Sequence, residues 1–165
     1  MSDIRSDVVE EALRIAEEAK RRELALRLLG GIAIRLRAKD GLLPVFEREY
    51  GDSDWITPKG TSSDAQKFFE ALGYSSQVRF NAIYGRERLL FFDEQHGRQV
   101  DVFVGAFRMS HKIPFGKRLA MESITVPLAE YCSPSCRSSS STRRTFWTPW
   151  RYCTIIPLGT TTGTR

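Results

Sequence analysis

Gly51-Asp52-Ser53-Asp54-Trp55-Ile56 is the stretch that decides how this chain is read. Two carboxylates stand two residues apart, and the segment then turns apolar. In a β-strand, residues i and i+2 point to the same face, so a strand here projects Asp52 and Asp54 side by side. Two like charges held that close repel each other, and a divalent cation with a preference for oxygen ligands relieves both at once. Two other stretches answer to this pair. Upstream, Leu28-Leu29-Gly30-Gly31 is an apolar run that ends in two glycines. Downstream, Gln99-Val100-Asp101-Val102-Phe103-Val104 reads as a strand with one acid in its middle. An acid among such neighbours needs a partner or a metal, because a lone buried carboxylate is costly. The alternative is an Asp on the solvent face of an edge strand.

The upstream run reads as a short buried strand over residues 24–29, two glycines, and an apolar pattern at helical spacing over 32–36. That order places bare backbone N–H groups at a helix N-terminus, where phosphate is favoured. Glycine allows close approach because it has no Cβ. A plain tight turn is the other reading of Gly30-Gly31.

An apolar residue followed by two glycines, then Asp-x-Asp some twenty residues on, then a third Asp on a later strand, resembles the nucleotidyltransferase superfamily of the DNA polymerase beta type. The likeness covers roughly residues 24–130. It is closest to the small bacterial minimal members, some of which act as toxins in abortive-infection systems. Ser53 departs from the pattern, since the residue between the paired acids is usually apolar in that family. The resemblance implies catalytic and metal-binding roles for Asp52, Asp54 and Asp101, two Mg²⁺ ions, and an NTP as substrate. It implies that Gly30 and Gly31 cradle phosphates and that a nucleotidyl group passes to an RNA, protein or small-molecule acceptor. Lys59, in the turn cluster Thr57-Pro58-Lys59-Gly60, is a candidate phosphate contact, or else a solvated turn lysine. The alternative function is a non-catalytic interaction protein of a toxin-antitoxin type system, keeping the fold and binding a cognate antitoxin.

The remaining elements build the scaffold. Residues 7–22 predict an amphipathic helix with Val8, Ala12, Ile15 and Ala19 on its buried side and Glu10, Glu11, Glu17, Glu18, Lys20, Arg21 and Arg22 mostly on the other. Residues 39–50 predict a loop or irregular hairpin, with Pro44 disfavouring a central strand. Ser63-Asp64-Ala65-Gln66 has capping-box spacing. The following helix buries Phe68, Phe69 and Leu72 and stops at Gly73. Residues 77–84, 88–93 and 98–104 predict three strands of a meander. His96 and His111 stand alone as loop residues. The order predicts an α+β fold, a nucleotidyltransferase-like mixed β-sheet with helices packed mainly on one face.

The chain has 165 residues, 41% of them hydrophobic, enough for one domain with a core. No apolar run approaches the roughly 20 residues of a membrane helix. Residues 1–7 lack the basic start and apolar middle of a signal peptide, so a cytoplasmic location is expected. The net charge of +5 suggests nucleic acid, but its distribution does not. Residues 131–165 hold five arginines and no acid, which leaves 20 basic against 20 acidic residues in 1–130. From Tyr131 the composition changes abruptly to six Ser, eight Thr, three Cys and two Trp. Hydrophobic periodicity vanishes there. With permitted synonymous codon choices, a shifted reading frame can be read as an amphipathic, mixed-charge helix that continues Val126-Pro127-Leu128-Ala129-Glu130. The expected organisation is therefore a nucleotidyltransferase-like domain over 1–130 and an out-of-frame, disordered tail over 131–165. A genuine Ser/Thr-rich tail is the alternative.

Overall fold

The first helix, α1 (Val8–Arg21), begins where Asp7 adopts an extended backbone and its Oδ1 accepts the amides of Val9 and Glu10 at 2.9 and 2.8 Å. This satisfies donors that a helix start leaves unpaired. Glu10 and Glu11 in the first turn and Lys20 and Arg21 in the last suit the helix dipole. The computed structural model describes residues 4–38, 50–108, 112–120 and 124–127. The predicted loop over 39–49, His111, and the tail over 131–165 lie outside the described residues.

After α1 come β1 (Arg27–Leu28), α2 (Gly30–Ala38), β2 (Asp52–Thr57), α3 (Ser62–Ala71), β3 (Ser75–Ser76), α4 (Val78–Tyr84), β4 (Arg88–Asp93) and β5 (Arg98–Val104). A small hairpin of β6 (Ala106–Arg108) and β7 (Lys112–Pro114) and a 3-10 turn at Gly116–Ala120 follow. The main sheet has the order β1-β2-β5-β4-β3. Only β2 and β5 run parallel; the other pairs are antiparallel. The fold is α+β with a mixed sheet, as the element order predicts. No helix among the described residues is long and apolar enough to cross a membrane.

Strand alternation sorts the residues between two faces. One face presents Leu28, Trp55, Leu89, Phe91, Val100 and Val102, which pack with Ala12, Ile15, Ala16 and Ala19 of α1, Ile32 and Ala33 of α2, and Ala65, Phe68 and Phe69 of α3. Phe69 stacks on Phe91 at 4.9 Å between ring centroids. The other face is covered over part of its area by a second cluster of Leu29, Ile56, Phe103, Phe115, Leu119 and Val126. Residues 124–126 reach it by bonding β1: the Leu28 amide donates to the Ile124 carbonyl (2.8 Å), and the Val126 amide donates to the Leu28 carbonyl (3.2 Å). Beyond this second cluster the face carries Asp52, Asp54, Arg88, Gln99 and Asp101 together with the partly exposed Leu90 and Phe92.

Three local expectations are corrected. Residues 77–84 form helix α4 with a preceding turn, not a strand. Asn81 decides this. Its side chain accepts the Leu90 amide (2.8 Å) and donates to the Leu90 carbonyl (3.1 Å) and Ser76 Oγ (2.9 Å), so one buried amide satisfies the edge of β4 at Leu90, just past its pairing with β3. The apolar Val78, Ile83 and Tyr84 are left exposed. Helix α3 starts at Ser62 after Thr61, so Ser63 is inside the helix and forms no capping box; the Thr61 hydroxyl instead bonds the Pro58 carbonyl at 2.8 Å and the Thr57 hydroxyl at 2.6 Å. Glu11 is buried rather than on the solvent side of α1. It accepts bonds from Arg14 Nε (2.8 Å) and Nη2 (2.6 Å), the Tyr74 hydroxyl (2.6 Å) and the Arg5 amide (3.0 Å).

Burial opposes ionisation of Glu11, but the bonds from Arg14, Tyr74 and Arg5 outweigh it and hold the carboxyl below its ordinary range. A carboxyl depressed in this way contributes stability above its unfolded pKa and loses it as pH falls through the folded value. Tyr74→Phe removes one buried, charge-assisted bond. It is expected to cost about 1.5–3 kcal/mol in urea unfolding at neutral pH, with the difference from the parent shrinking in acid as Glu11 takes a proton.

Candidate functional site

Alternation along β2 turns Ser53 and Trp55 into the helix-side core and Asp52 and Asp54 to the opposite, partly open face. The buried indole Nε1 of Trp55 donates to Ser53 Oγ at 3.1 Å. That bond gives the serine its reason: a purely apolar residue at 53 would leave a buried N–H without this acceptor, and buried donors are costly to leave unpaired. Asp52 is exposed and Asp54 half-buried.

The parallel pairing of β2 with β5 sets Asp54 directly opposite Asp101, and Asp52 opposite Gln99. Asp101 therefore lies on the same face as the pair, and it is buried. Both oxygens of its carboxylate are engaged: Oδ1 accepts Nε and Nη2 of Arg88 at 2.8 and 2.7 Å, and Oδ2 accepts Nε2 of Gln99 at 2.8 Å. Arg88 reaches it from β4, where Phe103 is its cross-strand partner and Asp101 lies on the diagonal. The guanidinium also sits 5.3 Å above the Phe103 ring. Neither Arg88 nor Gln99 is anticipated from the sequence. Gln99 carried a usable signal, standing two residues from Asp101 on the same strand. Arg88 carried none until the β4–β5 register was known.

The glycines roof the pair. The Leu29 amide donates to the Asp54 carbonyl at 2.7 Å, which brings the chain over Asp54 as α2 begins. Gly30 has φ +66°, and a Cβ placed there would lie 2.5 Å from Asp54 Oδ2. A Cβ at Gly31 would run into the ring of Tyr50. Both positions need glycine because other groups already fill the space, and at Gly30 the backbone conformation requires it as well. The first turn of α2, with the unpaired amides of any helix start, thus adjoins the acids. Lys59 is not brought to them. It lies in the turn beyond the opposite end of β2, exposed, with its stem against Gly105. His96 is in the β4–β5 turn, where its Nδ1 is 2.8 Å from Asp93 Oδ2. Asp93 also receives Arg98 Nε and Nη2 at 3.0 and 2.6 Å. That cluster is on the helix side of the sheet.

Burial first, then the charge of Asp52, then that of Asp101, push Asp54 up to about 6; Arg88 opposes them. The face thus holds excess negative charge that one arginine offsets only in part. The donor set, carboxylate oxygens with room left for solvent or substrate, is the kind that a hard cation such as Mg²⁺ takes. Asp52 and Asp54 are of that donor type and share one face of β2. Asp101 is turned to Arg88 and Gln99, and among the described residues no three His, Cys, Asp or Glu side chains are gathered as a metal-binding group. Comparison with protein families, with curated proteins and with solved structures returns no match to this chain.

A carboxyl whose pKa is raised by folding contributes stability that is complete below its ordinary value of 3.8 and is lost as pH rises through about 6. Asp54 therefore weakens the fold at neutral pH. Asp54→Asn is expected to stabilise the protein by about 1–2 kcal/mol at pH 7.5 and by almost nothing near pH 3.5. Paired urea titrations at the two pH values check it; a variant less stable than the parent at pH 7.5 contradicts it.

Proposed function

We propose that the chain is a metal-dependent nucleotidyltransferase, which passes a nucleotidyl group from an NTP to an RNA, protein or small-molecule acceptor with release of pyrophosphate. One observation carries the reading: Asp52 and Asp54 share the open face of β2, in register with Asp101 of a parallel neighbour, beneath a glycine that leaves no room for a side chain. Asp52 and Asp54 would hold Mg²⁺, with Asp101 joining them as the third acid. Magnesium, when bound, neutralises triphosphate charge and favours the attacking hydroxylate. The protein's own part is positioning, the main source of catalysis in phosphoryl transfer. The amides of the α2 first turn face incoming phosphate, and Gly30 and Gly31 let it approach the backbone. Turnover by the chain as given is expected to be weak, because residues 131–165 hold no lysine and no helical pattern to complete a nucleotide site.

A second reading, a non-catalytic interaction protein that binds a cognate antitoxin, is favoured by the exposed apolar Val78, Ile83 and Tyr84. The two readings part on metal dependence. A scaffold has no use for acids that repel each other.

The deciding experiment measures binding of labelled NTP by equilibrium dialysis, and labelling of added RNA or protein, with and without Mg²⁺. The chain is compared with an Asp52→Ala, Asp54→Ala double variant. Removing partners one shell outside a metal costs 10–100-fold in affinity or activity, so removing the acids is expected to cost at least about 100-fold. Binding or labelling that survives loss of both acids, or that ignores Mg²⁺, rules the transferase reading out.

A further inference from the structure

Arg88 is a charged side chain on the acid face whose position the proposed reaction does not yet use. Its Nε and Nη2 both donate to Asp101 Oδ1, at 2.8 and 2.7 Å. Gln99 takes Oδ2. The carboxylate they hold is 5% exposed, whereas the Arg88 side chain is 41% exposed. The buried partner is fixed by its strand, and the arginine reaches it from the solvent side. The arginine also has a second seat, over the Phe103 ring at 5.3 Å, where a guanidinium is attracted to the face of the aromatic.

We propose that Arg88 is a positioning residue that holds Asp101 away from the cation site and yields it when a divalent cation binds. This rests on the reading of Asp52 and Asp54 as cation ligands. Asp54 and Asp101 are direct neighbours across β2 and β5, so a cation between the paired acids approaches the carboxylate that Arg88 occupies. Two cations cannot both be stabilised by one carboxylate without repelling each other. An arginine cannot resolve the conflict by losing its proton; it can only move. Binding therefore exchanges the Arg88–Asp101 ion pair for a cation–Asp101 contact, and the freed guanidinium swings off the carboxylate toward solvent. The exchange sets a lower affinity for the bare cation than three free acids would give.

The test uses the full chain. Mg²⁺ affinity is measured by calorimetry for the parent, Arg88→Gln, Arg88→Lys, and the Asp52→Ala, Asp54→Ala double variant. Arg88→Gln keeps a hydrogen-bond donor toward Asp101 but no charge, and is expected to bind Mg²⁺ about 10-fold more tightly, within the usual range of coupling between sites. Arg88→Lys is expected to stay near the parent. In the parent itself, the Arg88 Nε–H resonance is expected to shift on titration with Mg²⁺ and to stay put in the double variant, a readout that requires no Arg88 variant to fold. An Arg88→Gln affinity equal to the parent's, with an unmoved Nε–H signal while Mg²⁺ binds through Asp52 and Asp54, overturns the Arg88 proposal alone. Equal Mg²⁺ binding by parent and double variant overturns the metal reading and takes the Arg88 proposal with it.

Discussion

The hydrogen bond from the Leu29 amide to the Asp54 carbonyl, 2.7 Å long, is the constraint on which the site depends. It ties the end of β1 to β2 at the residue whose side chain carries the charge. The chain must then turn away above a carboxylate, and only a residue without a Cβ can do so at φ +66°. Helix α2 starts from that turn, so its first amides adjoin Asp54. Packing of Ile32 and Ala33 into the helix-side core fixes where the helix goes next. A backbone bond, a glycine and two apolar contacts thus set the geometry of the acid face.

The same strand has to serve two environments. Ser53 and Trp55 face a close-packed core, and the indole N–H finds its acceptor two residues back along the strand. Asp52 and Asp54 face outward, where Ile56 and Phe103 mark the edge of the second cluster. The site therefore lies at a boundary between apolar cover and solvent. The boundary raises the Asp54 pKa, since the carboxyl is partly desolvated while it stands beside two other acids. Asp101 is paired instead with Arg88 and Gln99. The face is held at a charge imbalance that the fold tolerates rather than removes, a common signature of places where chemistry or binding takes place.

Much of this was legible in the sequence because period-two alternation is a local property. It was enough to place Asp52, Asp54 and Asp101 on strands and to put the paired acids on a common face. The glycines were legible as a break between strand and helix, but their reason was not: the objects they make room for, Asp54 Oδ2 and the Tyr50 ring, come from residues about twenty positions away. The register of β5 against β4 was equally hidden, and with it the part played by Arg88. Residues 77–84 misled because their apolar alternation suits a strand, while β3 pairs one part of the β4 edge and Asn81 satisfies Leu90 next to it, leaving the segment to coil into a helix. Glu11 misled in the opposite sense: a charge on a helix reads as solvent-facing until Tyr74, 63 residues on, supplies its partner. Direction along β2 carries Lys59 past the far end of the strand into an exposed turn, in keeping with the solvated turn lysine that the sequence also offered.

The most direct test of the account is to locate a cation. Mn²⁺ takes the same oxygen ligands as Mg²⁺ and is visible by anomalous diffraction in crystals soaked at saturating concentration. The account predicts a peak bonded to carboxylate oxygens of both Asp52 and Asp54, on the face that Gly30 overhangs. Crystals that bind Mn²⁺ only elsewhere, or leave these two acids without an ion at saturation, would contradict it.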